Sequence, residues 1–71
     1  MGPKDLPAYF EWYIARHPDE VEGLVNARIV LQKEMVDLEV LKTMSKEDCK
    51  DLNIPWALGR RLSRDLKDFL K

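Results

Sequence analysis

Apolar residues recur along this chain at intervals of three and four and nowhere alternate for long, so the pattern predicts helices and no strands. Leu6, Phe10, Tyr13 and Ile14 form a first stripe, with Tyr9 and Trp12 flanking it. Asp5 stands where a helix needs a cap, and Pro7 falls in the first turn, where a missing N–H costs nothing. Arg16 and His17 suit the negative end of that helix, and Pro18 closes it. An acidic connector, Asp19-Glu20-Val21-Glu22-Gly23, has room for one turn of its own. A second helix is expected over residues 24–35, its apolar face made of Leu24, Ala27, Ile29, Val30, Leu31 and Met35.

The second half is punctuated more sharply. Asp37 caps a short third helix that turns Leu38 and Leu41 inward and ends near Lys42. Ser45 followed by Asp48 forms a capping box for a fourth, with Met44, Cys49 and Leu52 on its apolar side. Asn53 falls where the helix must stop in the left-handed region, a conformation Asn tolerates better than most residues. Ile54 turns back to the apolar side, and Pro55 prevents continuation. The last helix opens within Trp56-Ala57-Leu58-Gly59 and runs to the end of the chain on the stripe Leu58, Leu62, Leu66, Phe69, Leu70. The expected fold is all-α: a compact five-helix bundle with a long C-terminal helix, one domain over residues 1–71, with residues 1–4 as a disordered or tag-derived start.

Composition narrows the function more by exclusion than by signal. With 45% hydrophobic and 35% charged residues, the chain reads as a soluble globular domain. The single cysteine forbids an intramolecular disulfide and points to an intracellular setting, cytoplasmic or nuclear. No apolar run approaches the ~20 residues of a membrane span. His17 has no second histidine or cysteine at metal-ligand spacing, and Cys49 lies on an apolar face. The acidic clusters lack the glycine-centred loop of a calcium site. Gly59 alone is no phosphate loop. The expectation is therefore no enzyme, no cofactor, no metal and no small-molecule substrate.

Charge is distributed unevenly. Residues 1–36 carry −2, residues 37–54 another −2, and residues 55–71 carry +3. Arg60, Arg61 and Arg64 crowd the start of the last helix, where the dipole disfavours cations. Asp37, Glu39, Glu47, Asp48 and Asp51 make the middle acidic.

The runs Val36-Asp37-Leu38-Glu39-Val40-Leu41, Met44 to Ile54, and Leu58-Gly59-Arg60-Arg61-Leu62 together resemble a sterile alpha motif (SAM) domain over roughly residues 31–70. Val36, Asp37, Ser45, Asp48, Leu52, Ile54, Gly59 and Arg61 fall in register with that family's pattern. Cys49 stands where the family prefers Leu, and Asn53 where it prefers Gly. The resemblance weakens toward the N-terminus: Trp12 and Leu31 are nineteen positions apart, further than in the family, so the joint between the first two helices is expected to be longer or differently shaped. The resemblance implies a protein–protein interaction module that joins another SAM domain, or itself, head to tail. Its mid-loop surface would be Asp37, Glu39, Lys42, Glu47, Asp48 and Asp51, and its end-helix surface Trp56, Leu58, Gly59, Arg60, Arg61 and Arg64. Gly59 would let a partner approach closely, and Trp56 would be the anchor. An alternative within the family is binding of RNA hairpins through Ala57-Leu58-Gly59-Arg60-Arg61, which the net charge of −1 disfavours.

Overall fold

A computed structural model describes residues 4–71. Among them are five α-helices: α1 (Leu6–Arg16), α2 (Val21–Lys33), α3 (Leu38–Lys42), α4 (Lys46–Asp51) and α5 (Trp56–Phe69). A 3-10 turn, Pro18–Glu20, joins α1 to α2. The bundle measures 33 × 26 × 21 Å. Helix α5 is its spine: α1, α3 and α4 all pack on it, and α2 packs on α1. No described helix is long and apolar enough to cross a membrane.

The helix starts are set locally. Asp5 accepts from the Ala8 N–H at 3.0 Å and Asp37 from the Val40 N–H at 2.9 Å. The Ser45–Asp48 capping box is complete, with Ser45 Oγ accepting from Asp48 N–H at 3.2 Å and Asp48 Oδ2 accepting from Ser45 N–H at 3.0 Å. Asn53 has φ 58°, the left-handed stop expected of it. Around it the Ile54 N–H reaches the Cys49 carbonyl at 2.9 Å and the Asn53 N–H reaches Lys50 at 3.1 Å, a Schellman motif with Ile54 and Cys49 both buried beneath it. Helix α2 ends the same way, and this the sequence does not announce. Met35 also has φ 58°, with the Val36 N–H donating to the Leu31 carbonyl at 2.9 Å. Its side chain is left 88% exposed. So α2 stops short of Met35, and it begins at Val21 rather than Leu24. Between Trp12 and Leu31 the chain forms the 3-10 turn Pro18–Glu20 and the first part of α2, from Val21.

One core draws on all five helices: Leu6, Tyr9, Phe10 and Tyr13 from α1, Leu24, Ala27 and Leu31 from α2, Leu41, Cys49, and Leu58, Leu62 and Leu66 from α5. Tyr9 departs from its expected flanking place. It is fully buried, and its hydroxyl donates to the Leu62 carbonyl at 2.6 Å. That bond removes the cost of burying a phenol, so the ring with the greater area takes the interior while Ile14 is only half-buried. Burial, the main cause, pushes the Tyr9 hydroxyl pKa well above the ordinary tyrosine range. Tyr13 is held likewise, donating to Asp65 Oδ2 at 2.8 Å, and burial with that bond pushes it up to about 12. Trp12 stacks on Tyr9 and meets Phe69 edge-on, so the aromatics of α1 serve mainly as packing. Leu70, expected in the stripe of α5, lies beyond the helix and is exposed. Leu52 caps the end of α4 and is half-buried. Of the residues expected to form a disordered start, Lys4 is instead tied down, its ammonium donating to the Phe69 carbonyl at 2.8 Å. Residues 1–3 lie outside the described residues.

Candidate protein-interaction surfaces

Helix α5 starts unusually: it has no side-chain cap and no acid in its first turn, Trp56 to Gly59, and two consecutive arginines, Arg60 and Arg61, open its second. The two have different surroundings. Arg60 is exposed, with its guanidinium 5.4 Å from the ring centroid of Trp56. Lys46, the first residue of α4, places its ammonium 5.1 Å from the same ring. Trp56 is 43% exposed and so forms an apolar platform bordered by two cations, neither within salt-bridge distance of a carboxylate among the described residues. Each such cation–ring contact contributes about 0.5–1 kcal/mol at an exposed site, enough to hold the indole in place.

Arg61 points elsewhere. Its guanidinium makes a two-pronged ion pair with Glu20, with Nη1 donating to Oε2 at 3.0 Å and Nη2 donating to Oε1. Hydrogen bonding by Arg61 holds the Glu20 carboxyl below its usual range, and Glu20 in turn raises Arg61. His17 Nδ1 lies 3.7 Å from Glu20 Oε2, and its ring stacks on Tyr13. Arg64 pairs with its neighbour Asp65 at 2.9 Å. The Arg64 guanidinium and the Tyr13 hydroxyl together hold the Asp65 carboxyl below its usual range against the opposing effect of burial. Of the three arginines grouped by sequence, only Arg60 is left without a carboxylate partner among the described residues.

Leu58 and Gly59, both expected in the end-helix surface, are buried. Gly59 faces inward, and a Cβ built on it would lie 2.5 Å from Cys49 Sγ. The close approach of α4 to α5 therefore needs a glycine here. A methyl at Gly59 gains about 1 kcal/mol in helix propensity but overpacks the contact by about 1–3 kcal/mol. Gly59→Ala is therefore expected to lower stability by about 1 kcal/mol net. In a Cys49→Ala background, where the nearest remaining atom is a Cβ at 3.9 Å, the same change should be neutral or stabilising. Urea unfolding of the four chains checks this, and additive effects would contradict it. Cys49 itself is buried, and burial raises its thiol pKa, the environment of a packing residue and not of a nucleophile.

The acidic residues divide. Asp48 and Asp51 border a shallow groove of about 330 Å³ whose apolar residues are Val36, Val40, Met44 and Leu52. Glu34, which the sequence reading leaves out, completes its acidic rim. Asp37 and Glu39 line a different groove, beside Met35, Leu38 and Leu70. Lys42 and Glu47 line neither, although both are exposed, and the Lys42 carbonyl accepts from Ser63 Oγ on α5 at 3.0 Å. Of the six residues expected in the mid-loop surface, Asp48 and Asp51 thus share one groove with Glu34, and Asp37 and Glu39 share another.

No family model, curated protein or solved structure matches this chain.

Proposed function

We propose that this chain is a protein-interaction module that associates head to tail, with a second copy or a similar helical domain as its partner. The observation that carries this reading is a pair of complementary patches. Trp56, between Lys46 and Arg60, is an exposed aromatic with a cationic border. The Val36–Val40–Met44–Leu52 groove is an apolar floor with an acidic border of Glu34, Asp48 and Asp51. Each supplies what the other lacks: an anchor for a groove, and opposite charge around it. The resemblance to sterile alpha motif domains supports the same pairing of surfaces. Because the two patches differ, each copy can use one on either side, so the contact can propagate into an open chain.

Sedimentation equilibrium over a range of concentrations tests this. Wild type is expected to associate, and Arg60→Glu to remain monomeric with an unchanged melting temperature. Arg60 is the better choice than Arg61, because a glutamate at Arg61 would face Glu20 and disturb the fold. Moderate salt should weaken the complex without abolishing it, since the border charges are screened and the apolar contact is not. A wild-type monomer at every concentration that instead binds hairpin RNA, with affinity falling steeply as salt rises, would favour the RNA reading.

A further inference from the structure

We propose that Glu20 restrains the same interaction surface by holding Arg61 away from a partner's carboxylates; this rests on the head-to-tail reading above. Glu20 occupies the N-cap position of α2, where a side chain ordinarily accepts from the helix's free N–H groups, yet it makes no cap hydrogen bond. Its carboxylate instead crosses to α5, 41 positions away in sequence, and takes both prongs of the Arg61 guanidinium. Helix α2 thus starts without a side-chain cap while its cap residue neutralises one of the two arginines at the head of α5.

The pair is accessible to exchange. The Arg61 and Glu20 side chains are 34% and 39% exposed, so a partner's carboxylate could replace that of Glu20 without stripping a buried charge. Both line a shallow cleft of about 380 Å³ whose other residues are Gly23, Leu24, Pro55, Ala57 and Leu58. Pro55 and Ala57, which line this cleft, flank Trp56 in the chain, and Arg61 follows Arg60 on the same helix. Arg60 stands ready for an acidic rim, whereas Arg61 must first give up Glu20. Each association therefore loses the free energy of the internal pair, and removing the Glu20 charge should return it.

The test uses an asymmetric pair of full-length chains. One carries Arg60→Glu and keeps its acidic groove; the other carries Asp51→Lys and keeps its end-helix surface. Calorimetric titration gives their affinity, with and without Glu20→Gln in the Asp51→Lys chain. The expected result is about two- to fivefold tighter binding with Glu20→Gln, the effect of freeing one half-exposed ion pair. Glu22→Gln in the same chain removes an equal charge from an exposed position in the first turn of α2. It should leave affinity within about 1.5-fold, because Glu22 makes no ion pair with Arg61 and an exposed charge is screened. Unchanged or weaker binding with Glu20→Gln would make the pair a structural tie only, and equal gains from Glu22→Gln would make the effect one of net charge. Either result overturns the restraint while leaving head-to-tail association standing. If the pair fails to bind even with Glu20 in place, the head-to-tail reading falls, and the restraint falls with it.

Discussion

Leu62→Ala is expected to cost about 2–5 kcal/mol, a large part of what stabilises so small a domain. Leu62 has no exposed surface and sits on α5 where α1 crosses it, its carbonyl receiving the Tyr9 hydroxyl. Truncation leaves a cavity bordered by side chains that α5 and α1 hold in place, so little collapse can fill it. Leu52→Ala provides the contrast. Leu52 caps α4 and borders the acidic groove, half in solvent, and its truncation should cost about 1 kcal/mol or less. Urea unfolding of both variants checks the pair, and equal losses would mean that the core is misplaced along α5.

What was legible in the sequence was local. Asp5, Asp37 and Ser45 announce helix starts because a cap is a contact between residues three apart. Asn53 announces a left-handed stop because few other residues adopt that conformation cheaply. Met35 adopts the same backbone without any such signal, since the Schellman hydrogen bonds around it, and not its side chain, define the turn. Periodicity gives the face of α1 but not its centre, so Tyr9 and Ile14 exchange roles once α5 supplies a carbonyl for the phenol. The candidate surfaces were legible only in part, for a related reason. Trp56 stands out because the apolar stripe of α5 does not need it. The burial of Gly59 against Cys49 and the capture of Arg61 by Glu20 both depend on side chains from other helices. Neither leaves a trace at helical spacing.

The second large effect is loss of association on charge reversal. Arg60→Glu places a carboxylate beside Trp56 where the partner's acidic rim would lie, and Asp51→Lys places an ammonium in the opposing rim. Each should weaken the contact by about 1–5 kcal/mol, depending on how far the charge is desolvated in the complex. Both positions are exposed and make no salt bridge among the described residues, so neither change should unfold the domain.

Mixing the two variants is the most direct measurement of head-to-tail association. An Arg60→Glu chain retains a sound acidic groove, and an Asp51→Lys chain retains a sound end-helix surface, so only one of the two possible contacts between them keeps both original patches. Sedimentation velocity should show each variant alone as a monomer and their equimolar mixture as a dimer that grows no further with concentration. A mixture that stays monomeric while wild type associates, or variants that associate alone as wild type does, would contradict the pairing of these two surfaces.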